Sequence, residues 1–179
     1  MDYDVIESRK VYDGKILTVY SDDILMPDGR SATRESIVKN DASAIVPVDK
    51  DGNIIFVRQY RHAAKDMVLE IPAGTFEKGE DPYQCALREL EEEIGYKAGG
   101  LTYVNWTYAS VGVCTEKIHL YIAQDLIEGT QHLDADEFIE IERYSLEDSL
   151  KMIFDGTIRD SKTVMGILAY NQLVAKNNK

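Results

Sequence analysis

Residues Gly74 to Tyr96 read GTFEKGEDPYQCALRELEEEIGY and place Gly74, Glu80, Arg88, Glu89, Glu92, Glu93 and Gly95 at fixed intervals. Asp81 can cap a helix, Pro82 suits its first position, and Gln84 stands where a capping box closes. Gly95 suits the left-handed conformation that ends a helix. These signals predict a helix over 82–94. At roughly 100° per residue, Glu89, Glu92 and Glu93 fall within an arc of about 100°. Ala86, Leu87, Leu90 and Ile94 form the neighbouring stripe with Tyr83 beside them, while Glu91 points to solvent. The three carboxylates, Glu93 included, are therefore expected to project, exposed, beside a core stripe. Like charges at this spacing repel by roughly a few tenths of a kcal/mol each. A divalent cation turns that repulsion into attraction, and clustered carboxylate oxygens suit Mg²⁺ or Mn²⁺, which keep water and bridge to phosphates. A loose run of glutamates would read as a solvated face. The joint glycine, arginine and spacing constraints favour the metal.

The flanking sequence must hold that helix in place. Ile16–Leu25 and Ser31–Val38 read as strands around the turn Met26-Pro27-Asp28-Gly29. Ala42–Val48 and Asn53–Gln59 are apolar strands joined at Asp51-Gly52. After the helix come strands at 101–108, 117–123 and 138–144. A further helix opens at Ser145-Leu146-Glu147-Asp148 and stops at Gly156. A last one starts near Asp160 with Val164, Ile167, Leu168 and Leu173 as its core stripe. Strands, a central helix, more strands and terminal helices indicate an α/β fold, a mixed sheet sandwiched by helices. The organisation expected is an N-terminal β extension over 1–40 and one main domain over 41–179.

At 179 residues the chain is long enough for a substantial core. No apolar run approaches the ~20 residues of a membrane span, and the acidic start MDYDVIESRK is not a secretory signal. Two cysteines, Cys85 and Cys114, give no disulfide framework, so a cytoplasmic setting is expected. His62, His119 and His132 lack zinc spacing, and His119 sits in an alternating strand pattern. A net charge of −12 argues against binding a nucleic-acid backbone, although cations and a few arginines can still draw a diphosphate to an acidic protein.

The 74–96 segment fits the Nudix box, and the chain resembles a Nudix hydrolase; Tyr96 stands where an aliphatic residue is more common. The resemblance extends to Val11–Lys15, Leu25–Gly29, Arg34-Glu35, Val57–Arg61, Leu69–Gly74, Thr115–Leu120 and Asp136–Glu140, which look like the ADP-ribose pyrophosphatase branch. It implies the α/β/α Nudix sandwich. It also implies Glu89, Glu92 and Glu93 as metal ligands, Glu92 and Glu93 with catalytic weight, joined by the backbone carbonyl of Ala73. Glu80 and Arg88 look like a structural pair. Arg61, and Arg58 beside it, would face diphosphate oxygens, though period-2 alternation puts them on opposite sides of a strand, and a surface ion pair competes for Arg58. Glu70 would accept from a ribose hydroxyl or serve as a structural carboxylate. Arg34 resembles a position that reaches the nucleotide, and Glu116 is a further site carboxylate.

The resemblance implies a late-loop glutamate that assists as base or as a further metal ligand; Glu137 is favoured, with Asp134 and Asp136 behind it. The activity that the resemblance implies is Mg²⁺-dependent hydrolysis of ADP-ribose to AMP and ribose 5-phosphate, by an expected homodimer with no nucleic-acid or membrane partner. Ser110-Val111-Gly112 departs from the branch, which has proline where Val111 stands. That departure keeps open another nucleotide sugar, such as GDP-mannose, as substrate. A nucleotide-sensing domain without turnover is a rival that the intact box disfavours.

Overall fold

The computed structural model describes residues 3–135 and 137–177. The chain divides into two compact units, one made of Met1–Asp41 with Thr107–Lys117 and the other of Ala42–Trp106 with Ile118–Lys179.

In the first unit, β1 (Asp4–Asp13), β2 (Thr18–Leu25) and β3 (Ser31–Val38) form an antiparallel meander in the order β1-β2-β3. The expected turn is present, with the Gly29 amide donating to the Met26 carbonyl at 2.9 Å. β1 does not stand out in the sequence. Every one of its positions is exposed, so no buried face imposes an alternation, and two register shifts interrupt its pairing with β2. Polar ladders support it instead: Arg9 bridges Glu7 and Asp23, and Asp23 also accepts from Thr33.

The second unit is built on strands buried on both faces. β4 (Ala42–Pro47) and β5 (Ile54–Arg61) are followed by the short strands β6 (Asp66–Glu70) and β7 (Ala73–Thr75). Then come α1 (Pro82–Ile94), β8 (Tyr96–Tyr108), β9 (Lys117–Glu128), β10 (Ile139–Tyr144), α2 (Leu146–Phe154) and α3 (Ser161–Asn177). The expected mixed sheet is the four-stranded β7-β4-β9-β8, in which β4 runs parallel to β9 and antiparallel to β7; an antiparallel β10-β5-β6 sheet accompanies it.

Alternation along the central strands sorts side chains into two cores. Ala44, Val46, Ile54, Phe56, Leu120 and Ile122 enter one with Ile158 and Ile167. Ile45, Ile55, Val57, Tyr121 and Ala123 enter the other with Ala86, Leu90 and Ile94 of α1. Burial of both faces explains why these strands read as continuous apolar runs rather than alternating ones.

Three expectations need correction. β6 and β7 were not foreseen, because Pro72 interrupts a segment of only a few residues each. β8 begins five residues before the expected Leu101, across Lys97-Ala98-Gly99-Gly100, where two glycines carry no strand pattern. On α3, Leu168 and Leu173 are exposed rather than core; the buried positions are Thr163, Gly166 and Ile167. Small residues set the helix phase here, since a Cβ on Gly166 would come within 2.8 Å of Val46 and 3.0 Å of Ile71. Gly166→Val is therefore expected to lower unfolding free energy by about 1–3 kcal/mol through overpacking, read as a lower urea midpoint at unchanged m-value.

Candidate active site

The helix that carries the acidic cluster starts and stops where its sequence dictates. The Asp81 carboxylate accepts from the Tyr83 and Gln84 amides, Gln84 returns the bond to Asp81, and Gly95 closes the helix at φ 71°. Ser43 of β4 donates to the Pro82 carbonyl at 2.7 Å and ties the first turn to the sheet. At the other end, orphan carbonyls of the last turn are taken up by the chain after β9: Gln131 Nε2 donates to Glu93 O at 2.7 Å, and the His132 amide donates to Glu92 O at 3.0 Å.

Arg88 organises the loop in front. Its Nε and Nη2 bind both oxygens of Glu80 at 2.8 and 2.9 Å, and Nη2 also reaches the Thr75 carbonyl at 3.1 Å. Its Nη1 donates to Glu89 at 2.6 Å and to Glu92 at 2.8 Å. All the donors of one guanidinium are used, which no lysine could reproduce.

The carboxylates differ in environment. Glu93 is 2% exposed and accepts from the Ala73 amide at 3.1 Å, so the expectation that it projects into solvent is overturned: α1 turns this edge inward, against β7. Glu89 is 8% exposed and lies over Gly74, where a Cβ would stand 1.8 Å from its Oε1; only glycine fits. Glu92 stays partly exposed. Burial, and then the charges of Glu89 and Glu137, push the Glu93 carboxyl well above the usual range. Burial raises Glu89 to about 7, with Arg88 opposing and Glu92 and Glu137 adding to the rise. Glu137 thus comes within electrostatic reach of both, and its own carboxylate accepts from the Asp134 amide at 3.2 Å. Asp134 is exposed, and Asp136 lies outside the described residues.

Desolvated carboxylates that repel one another are a donor set suited to a hard divalent cation. The chemistry of these residues fits such an ion, although among the described residues no group of three His, Cys, Asp or Glu side chains is placed to hold one. Arg88 holds oxygens of Glu89 and Glu92 as its own partners.

The two arginines of β5 separate as the alternation requires. Arg58 pairs with Glu142 of β10, which also accepts from Tyr144, and so occupies a structural ion pair. Arg61 grips both oxygens of Glu70 at 2.7 and 2.8 Å and senses the charge of Glu93. Glu70 is also held by Lys162, so both its oxygens are engaged. Arg34 and Glu116 belong to the first unit. There Glu116 is paired with Lys39 at 2.6 Å, and Arg34 donates to the Thr33 carbonyl. Of the remaining residues with reactive side chains, Cys85 and Cys114 are free thiols, and burial raises Cys85 to about 12. His119 lies in β9 beside Phe76 and Tyr103 at 5.5 and 6.2 Å between ring centres.

Lys162, Asp160, Gln131 and His132 were not anticipated. The latent signal for Lys162 was a lysine in the first turn of a helix, where the dipole disfavours a cation. The loop contacts of Gln131 and His132 carried no pattern at all.

Residues 38–165 match the NUDIX domain, and residues 3–37 match the nucleoside diphosphate sugar hydrolase N-terminal domain. The chain belongs to the Nudix hydrolase family. A relative called ADP-ribose pyrophosphatase, from Bacillus subtilis (strain 168), is 39% identical over 164 residues, covering 90% of this chain and 89% of its own length. A methanol dehydrogenase activator from Bacillus methanolicus is 37% identical over 164 residues, with the same coverage of 90% and 89%. The crystal structure of an ADP compounds hydrolase superposes with a TM-score of 0.91 at 23% identity, covering 99% of this chain and 96% of that one, and so shares the Nudix fold.

The Glu70 network also sets an acid limit. Burial pushes the Glu70 carboxyl up, but Arg61 and Lys162 more than offset this and hold it below its usual value. A depressed folded-state value stabilises the protein above the ordinary carboxylate range and loses that contribution as pH falls through the depressed value. The gap in unfolding free energy between the wild type and Glu70→Gln should therefore be full near pH 6 and shrink below about pH 4, as followed by urea titrations across pH.

Proposed function

We propose that this Nudix hydrolase is a divalent-cation-dependent pyrophosphatase that cleaves ADP-ribose to AMP and ribose 5-phosphate. The observation that carries the reading is the pair of desolvated carboxylates Glu89 and Glu93, packed against Gly74 and the Ala73 amide, with Glu137 in electrostatic reach of both and Arg61 in reach of Glu93. The likeness to a relative called ADP-ribose pyrophosphatase supports the substrate.

Glu89, Glu92, Glu93 and the Ala73 carbonyl would hold the cation, taken as Mg²⁺ with Mn²⁺ as the alternative. Bound there, the ion supplies neutralisation of the diphosphate and activation of water. Arg61 is oriented by Glu70 toward the side of Glu93 and offers its remaining N–H groups to non-bridging oxygens. Glu137 orients the attacking water and takes its proton; one bridging P–O bond breaks, and the two phosphates of the substrate end on separate products. Arg58, committed to Glu142, has no part in this scheme. The further roles of Arg34 and Glu116 in nucleotide binding, the homodimer and the cytoplasmic setting rest on the resemblance of the N-terminal segment and on composition. Sedimentation at micromolar concentration should give about twice the 20.2 kDa of one chain; a monomer would remove any contribution to the site from a second subunit.

Val111, where proline marks the ADP-ribose branch, favours a second reading in which another nucleotide sugar such as GDP-mannose is preferred. Incubation of ADP-ribose and a panel of nucleoside diphosphate sugars with Mg²⁺ should release AMP and ribose 5-phosphate fastest. Preferential release of GMP and mannose 1-phosphate would install the second reading, and binding without turnover would leave only a sensing domain. Glu93→Gln should cut kcat by about a hundredfold or more, with the substituted side chain still able to accept from Ala73. Near-normal turnover in that variant would misplace the site.

A further inference from the structure

Lys162 stands where a lysine is least expected. It is the second residue of α3, at the positive end of the helix dipole, and its side chain is only 12% exposed. Two carboxylates compensate for its burial: Glu70 Oε2 at 2.5 Å and Asp160 Oδ2 at 3.1 Å. Asp160 is itself fixed, accepting from the amide and hydroxyl of Thr163 at 2.9 and 2.6 Å. The Thr163 hydroxyl in turn accepts from the Ile71 amide at 2.9 Å, so the first turn of α3 is fastened to the residue next to Glu70.

The network has an inner and an outer end. The Lys162 and Glu70 side chains are 12% and 3% exposed, whereas Arg61 is 43% exposed. Arg61 spends Nε and Nη2 on Glu70, and its Nη1 makes no hydrogen bond among the described residues. A carboxylate held by a single arginine would cancel that arginine's charge. With Asp160 counted, two cations face two carboxylates and the cluster is neutral; without Lys162 it would carry one net negative charge directly behind Arg61.

We propose that Lys162 is a positioning residue of the diphosphate site: by offsetting Glu70 and Asp160 from behind, it keeps a net negative charge from standing behind Arg61, the residue read as meeting the anionic substrate. The inference rests on the reading of Arg61 as a diphosphate contact. It assigns Lys162 no contact with substrate, and it differs from a packing role in its dependence on the carboxylate charge that the lysine offsets.

Steady-state kinetics with ADP-ribose at saturating Mg²⁺ separate the possibilities. Lys162→Met should raise KM about tenfold while lowering kcat less than threefold, the signature of lost attraction rather than lost chemistry. Adding Asp160→Asn to that variant removes the uncompensated negative charge while keeping an oxygen that can accept from Thr163, and KM should return to within about threefold of the wild type. A lysine that merely fills space predicts no such recovery. Lys162→Gln, which keeps a polar end, provides the same comparison should the methionine variant fail to fold by circular dichroism. An unchanged KM in the single variant, or a double variant no better than the single, overturns the proposal. Arg61→Gln is the separate control: an unchanged KM there overturns the diphosphate reading of Arg61 itself, whereas a raised KM with a silent Lys162 variant strikes at Lys162 alone.

Discussion

Two carboxylates almost without access to water, Glu89 and Glu93, sit one helical turn apart on α1, and much of the second unit is arranged to make that tolerable. Each finds a partner in its immediate surroundings: Arg88 for Glu89, the Ala73 amide for Glu93. Neither partner offsets the cost of burial, which, with repulsion from the neighbouring carboxylates added, leaves both groups reluctant to ionise. Stability and function thus make opposite demands on the same oxygens. A site fully satisfied by the protein would have nothing left to offer an ion.

The positions of these groups follow from central strands buried on both faces. Ile45, Ile55 and Tyr121 support α1 from one side, while Val46, Phe56 and Leu120 meet the terminal helices on the other. Because β4 pairs with β7, the strand that bears Ala73 and Gly74 is fixed relative to the helix that bears the glutamates. Gly74 then lets strand and carboxylate approach closer than any side chain would permit. The alternation of a few apolar residues therefore determines where an acidic cluster can form several residues away.

Most of the acidic helix was legible in the sequence, since caps and stops act locally. Asp81, Gln84 and Gly95 define α1 without reference to the rest of the chain, and the Arg88–Glu80 pair could be anticipated from the box. Opposite faces for Arg58 and Arg61 could also be read, because alternation is a property of a single strand. What could not be read depends on packing between elements. The inward turn of Glu93 requires β7, whose three residues carry no signal of their own. The phase of α3 is decided by Gly166 and Thr163, small residues that hydrophobic pattern counts overlook in favour of Leu168 and Leu173. Lys162 and Gln131 act on residues far away in sequence, and only the folded chain brings them there.

The fastening of Ile71 to Thr163 has a consequence for how the C-terminal helix should be regarded. A terminal helix invites treatment as a detachable buttress, useful for solubility and dispensable to the chemistry. Here its opening turn is threaded into the polar wiring behind the box. Trimming the chain back to Asp160 would therefore do more than expose hydrophobic surface; it would unhook the rear support of an arginine on a different strand. Engineering that borrows the box and its sheet as a minimal scaffold has to carry this turn along with it.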